Sequence, residues 1–146
     1  MKNHIIIALF FLITFSDCTV ITKLQQNQKE RELIDLNTFK IEKVAQNATY
    51  GYTSQQPVKV GGVEENEGIL NSRRFLNALR GPKGEKVAYE LKGSCCYHQL
   101  PEGSPSNVGL LDKYEITVDG NKYLIFLSTF EEAELYIPKG LSFMSI

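Results

Sequence analysis

The chain has 146 residues, with 16 Lys and Arg against 17 Asp and Glu, for a formal charge of −1. That balance supplies no general field to gather nucleic acid or an acidic membrane, and no nucleic-acid-binding motif is present, so nucleic acid is excluded as a partner. The length suits one domain with a single core.

The first feature along the chain is an uncharged apolar run, Ile5 to Phe15, preceded by Lys2 and followed by Ser16-Asp17-Cys18. Such a run is short for a membrane-spanning helix and fits the hydrophobic region of a signal peptide. A cysteine placed just after it suggests cleavage before Cys18 and lipid attachment to its sulfur, although Phe15 and Asp17 stand where lipoboxes usually carry Leu and a small residue. Plain secretion and an uncleaved anchor are the alternatives. Under the lipoprotein reading residues 1–17 are a signal peptide, and the partner at this end is a membrane. Multiple acyl chains would hold firmly, since each buried CH₂ contributes about 0.8 kcal/mol.

Residues 18–40 read as a polar, Gln-rich tether, with Leu33 to Val44 able to begin a helix or a first strand; the domain itself is expected over residues 41–146. Tyr50 to Thr53 and Val58 to Val60 look like short strands, the second starting at an edge or after a turn because of Pro57. Residues 63–71 are acidic and read as loop. Ser72 is placed to cap a helix from Arg73 to Arg80, with Phe75, Leu76 and Leu79 on one side and Gly81 in the left-handed position past its end. Gly81-Pro82-Lys83-Gly84 then reads as a tight turn.

Lys86 to Lys92 alternates as a strand with one wet face. Gly93 to Gly109, holding prolines and serines, reads as a long loop. Asp119-Gly120 marks a hairpin in which Tyr114, Ile116 and Val118 face Tyr123, Ile125 and Leu127. The run Tyr123 to Leu127 is apolar on both faces and reads as a central strand, and Leu135 to Phe143 as a last strand interrupted by Pro138 and Gly140. The predicted fold is α+β: a mainly antiparallel sheet of about five strands with one short helix packed on it.

Several groups of residues carry chemistry. Cys95-Cys96 with His98 allows a vicinal disulfide, a pair of reactive thiols, a metal site that would need a tight turn for joint ligation, or two plain thiols, one of them buried. With Cys18 lipidated, Cys95 and Cys96 form the remaining even pair, in a compartment where disulfides persist. No metal is expected, since His98 is the only histidine after the leader and no Cys-x-x-Cys spacing exists. No cofactor is expected either, as no glycine loop suited to phosphate is present. Arg73, Arg74, Arg80, Lys83 and Lys86 could receive an anionic glycan or phosphate, or simply form a wet helix face. Glu131, Glu132 and Glu134, like Glu64, Glu65 and Glu67, lack the alternating pattern of a calcium loop. The discriminating feature is the 93–109 segment: a deep pocket holding His98, Asp112 and a free thiol would favour an enzyme, whereas a flat surface with bridged cysteines would favour binding or scaffolding.

Four stretches carry a family resemblance: Ala48-Thr49-Tyr50-Gly51-Tyr52-Thr53, Pro57-Val58-Lys59-Val60-Gly61-Gly62, Arg73-Arg74-Phe75-Leu76-Asn77-Ala78-Leu79 and Gly93-Ser94-Cys95-Cys96. With these the chain resembles small envelope proteins of certain Gram-negative bacteria, most of them described only as lipoproteins. It departs at Tyr97-His98, where those relatives tend to carry proline and phenylalanine. Some members bear the label of a 3-deoxy-octulosonate phosphate aldolase or synthase. Enzymes of that kind resemble eight-stranded βα barrels of roughly 250 residues, which neither the length nor the hairpin pattern of this chain accommodates. The resemblance implies an exported, lipid-anchored envelope protein of binding or structural role, its partner a second envelope protein or a glycan. The competing expectation is a small envelope enzyme, a hydrolase or the labelled aldolase.

Overall fold

The structure is a computed structural model, and it describes residues 31–102, 104 and 106–144. Cys18 and the expected leader lie outside the described residues. The elements in chain order are β1 (Leu33–Asp35), β2 (Thr38–Phe39), β3 (Val58–Lys59), α1 (Gly68–Ala78), β4 (Leu79–Arg80), β5 (Ala88–Gln99), β6 (Val108–Val118), β7 (Asn121–Ser128) and β8 (Ser142–Phe143). The fold is α+β. Its main sheet has four strands in the order β3-β7-β6-β5, one fewer than the sequence suggests, because the short strands pair off as two separate ribbons, β1-β2 and β4-β8.

The hairpin forms as its sequence requires. Val118 pairs with Asn121, leaving Asp119 and Gly120 as a two-residue turn with φ of 49° and 79°. Positive φ at both positions matches the twist of the flanking strands, and Asp-Gly meets that demand at low steric cost. Tyr114 pairs with Ile125 and Ile116 with Tyr123, so the expected face is assembled, and β7 sits inside the sheet. Val58 pairs in parallel with Leu127, putting β3 at the edge, where Pro57 has no ladder bond to lose.

The helix is longer than predicted and begins earlier. Gly68, Asn71, Ser72, Phe75 and Leu76 are buried at the i, i+3, i+4, i+7, i+8 spacing of one helical face. Ser72 is therefore mid-helix rather than a cap, and its hydroxyl donates to the Gly68 carbonyl one turn back at 3.0 Å. The helix starts at Gly68, which is glycine because Thr129 presses against it, lying 2.9 Å from where a Cβ would stand. At the other end Leu79 turns extended (φ −72°, ψ 141°) to pair with Phe143, so Gly81 is no left-handed cap. It is glycine because the Glu85 side chain occupies the space a Cβ would need.

Two further expectations are corrected. Residues 50–53 form turns, not a strand: Asn47 folds the chain by accepting from Thr49 N at 2.9 Å, and Gly51 N closes onto Gln56 O at 2.7 Å. Only Ser142–Phe143 of the last apolar stretch becomes a strand, since Pro138 and Gly140 (φ 93°) make a turn closed by Leu141 N to Pro138 O at 3.1 Å. The described residues ahead of position 41 pack with those that follow. Arg31 donates to the carbonyls of Val60, Lys59 and Ala133, and Thr38 and Phe39 are buried.

The core lies between α1 and one face of the sheet. Phe75, Leu76, Ile116, Ile125, Leu127 and Ile137 are at most 1% exposed. At roughly 1.5–3 kcal/mol per fully buried large apolar side chain, this layer holds the fold together.

Candidate functional site

Where a loop was expected over residues 93–109, β5 and β6 instead continue as a two-stranded arm, joined only by residues 100–107. Two bulges in β5 make this possible. Between Leu91 and Ser94 one extra residue is accommodated by Gly93 (φ 106°), and between Cys95 and Tyr97 the extra residue is Cys96 itself (φ 58°). A bulge absorbs a residue, bends the strand and lets the ladder resume. That is why a Gly-Ser-Cys-Cys segment, unpromising as a regular strand, still runs in one.

Cys95 and Cys96 form a disulfide. It ties the bulged residue to its predecessor on the outermost strand of the sheet, where Cys96 is exposed and Cys95 partly covered. The register then decides what surrounds it. Cys95 lies opposite Leu111 and His98 opposite Gly109. Leu111 and Gly109 are two apart on one strand, so all four residues share a face, the one opposite the helix.

That face is closed by the chain leaving β7. Phe130 packs over Gly109, its ring 2.7 Å from where a Cβ would sit, and Leu111 is 1% exposed. The next residue, Glu131, holds His98 by its Nε2 through one carboxylate oxygen, while Lys59 Nζ binds the other, Oε1, at 2.8 Å. The Glu131 side chain is 9% exposed and that of His98 17%. Burial works to raise the Glu131 pKa, but the hydrogen bonds from Lys59 and His98 outweigh it and hold the carboxyl below its usual value. On the same face Ser128, paired in register with Lys59, is fully buried with no hydrogen-bond partner for its hydroxyl among the described residues.

Of the residues singled out by sequence, Cys95, Cys96 and His98 are brought together. Asp112 is not. It pairs with Ser94 and Leu127 on the helix-facing side, where its Oδ1 accepts from the Ser94 hydroxyl at 2.9 Å, so no pocket holds both Asp112 and His98. The partner that sequence reasoning missed is Glu131. Its signal, an acidic residue one step after a Phe that must cover a glycine, is readable only once the bulge has fixed which face His98 takes.

The basic residues do not form one site either. Arg74 is held by Glu67 and the Leu36 carbonyl, Lys83 reaches Asp119, and Arg73 is exposed. Arg80 and Lys86 do line a cleft of about 490 Å³ with Asp35, Asn37, Asn77 and Met144. Within it Asn77 donates to the Asn37 carbonyl at 2.8 Å and accepts from the Tyr89 hydroxyl at 2.9 Å, while Arg80 is spent on the carbonyls of Asn77 and Leu79. The tyrosines mostly stack on one another, in the pairs Tyr50–Tyr136, Tyr52–Tyr123 and Tyr89–Tyr114; Tyr97, beside the disulfide, is 85% exposed. Among the described residues no three His, Cys, Asp or Glu side chains are grouped to hold a metal ion.

No family model, curated protein or solved structure matches this chain.

Proposed function

We propose that the chain is an exported envelope protein, moored to a membrane by lipid on Cys18, whose folded part binds another envelope component instead of catalysing a reaction. The observation that carries this reading is the Cys95–Cys96 disulfide, in a chain that opens with an apolar leader ending at a third cysteine. Disulfides persist in oxidising compartments and are rare where thiol reductants are kept active, so the bridge and the leader support the same destination. The resemblance of its motifs to those of small Gram-negative envelope proteins is in keeping with it.

Binding is favoured over catalysis because the cysteines are bridged and His98 and Asp112 occupy opposite faces. A polar glycan or a partner protein suits the cleft around Asn77 and Lys86, whose walls mix amide, carboxylate and ammonium groups with a methionine. Labelled palmitate is expected to enter the native chain and to be lost in Cys18→Ala. Incorporation unchanged by that substitution would end the lipoprotein reading.

A further inference from the structure

We propose that Cys95–Cys96 is a thiol–disulfide exchange site for a dithiol reductant, with His98 as the acid that protonates the departing Cys95 sulfur. This goes beyond the anchored binding role and does not depend on the lipid.

Three observations carry it. The bridge closes the shortest loop two cysteines can close, and cross-links of short loops constrain the unfolded chain least, so holding the fold together is a weak reason for its presence. Cys96 is exposed on an edge strand and stands at φ 58°, a left-handed backbone that non-glycine residues adopt rarely and mostly where surrounding structure enforces it. An attacking sulfur can therefore approach the bridge from the side of exposed Cys96. Finally, the bulge at Cys96 turns Cys95 and His98 to one face, a two-residue step apart along β6, and Glu131 fixes the imidazole by Nε2, leaving Nδ1 for a second partner.

The chemistry balances as two displacements. A thiolate of the reductant attacks Cys96 Sγ; the S–S bond breaks, its electron pair leaves on Cys95 Sγ, and that sulfur takes a proton from the His98 imidazolium. The reductant's second thiolate then attacks the mixed disulfide at its own sulfur and expels Cys96 as a thiolate, which takes a proton from water. The reductant ends as a disulfide, having passed two electrons to the pair, and water returns a proton to His98. Easing the departure of the leaving sulfur is what speeds such exchange.

The full chain is mixed with dithiothreitol at pH 7, quenched by alkylation, and the peptide holding Cys95 and Cys96 is weighed over time. Reduction of the native protein without denaturant is expected. His98→Ala should slow it about tenfold, with the rate restored by added imidazole, a modest share of what a positioned acid contributes. His98→Gln, which keeps a hydrogen bond to Glu131 but gives up no proton, should be equally slow, and it separates proton transfer from simple disruption of the fold. Rates within twofold of native in both variants, or a bridge reduced only after the chain is unfolded, would overturn the proposal.

Discussion

The two halves of the β5–β6 arm obey different rules. Near the Asp119–Gly120 turn, Tyr89, Ile116 and Val118 lie under α1, and the ladder runs without interruption from Ala88 opposite Thr117 to Leu91 opposite Tyr114. Beyond Leu91 no helix among the described residues covers the sheet. The ladder slips twice, Tyr97, Val108 and Leu110 are exposed, and a disulfide holds the second irregularity. Register is dictated by burial in the first half, because a one-residue slip would turn Ile116 to solvent. In the second half only the opposite face is covered, with Leu111 buried and Gly109 under Phe130, and the register is reset by the backbone at Gly93 and Cys96.

The largest effect expected from this contrast is at the covered end. Ile116→Ala removes a fully buried side chain and should cost about 2–5 kcal/mol, whereas Leu110→Ala, at a site 44% exposed, should cost under about 1 kcal/mol. Urea unfolding followed by circular dichroism reads both. Equal costs would mean that the distal half is buried by something not contained in this fold.

The same division explains what the sequence revealed. The hairpin follows from Asp119-Gly120 between alternating apolar residues, the central position of β7 from a run apolar on both faces, the edge position of β3 from Pro57, and the burial of Phe75 and Leu76 from helical spacing. The helix start at Gly68 was hidden because the acidic stretch before it reads as loop, and because Asn71 and Ser72 are polar residues on the buried face. The distal half of β5 was hidden because bulges break the two-residue period that identifies strands. Cys95, Cys96 and His98 could be named as a group from their proximity in sequence. Glu131 could not, being 33 residues from His98 and brought to it by a register that the two bulges at Gly93 and Cys96 set together.

An intermediate effect is expected at that junction. Glu131→Ala removes both charge-assisted bonds and should cost about 1.5–3 kcal/mol, since hydrogen bonds to charged groups lie in that range. Because folding holds the Glu131 carboxyl below its unfolded value, the unfolded chain binds the proton first as pH falls. Its contribution is therefore complete above the ordinary glutamate range and fades as pH drops through the lowered folded value. Native protein should lose more stability than Glu131→Ala between pH 6 and about pH 3, as seen in urea midpoints taken at each pH. Parallel losses would remove the ion pair from the account of how the distal half is held.

The smallest effect is expected back at the turn end of the arm. Lys83 Nζ stands 3.4 Å from Asp119, linking the 81–84 turn to the hairpin turn, but the two side chains are 81% and 69% exposed. Solvated pairs of this kind gain little over their separate hydration, so Lys83→Ala should move stability by no more than about 0.5 kcal/mol, and added salt should leave the difference small. The hairpin turn is already specified by Asp119-Gly120 and by the pairing of Val118 with Asn121, neither of which needs Lys83. A loss well above 1 kcal/mol would show that the covered half depends on contacts between its turns. Burial under α1 would then not be sufficient to set its register, and the contrast between the two halves would fail at the end where it is sharpest.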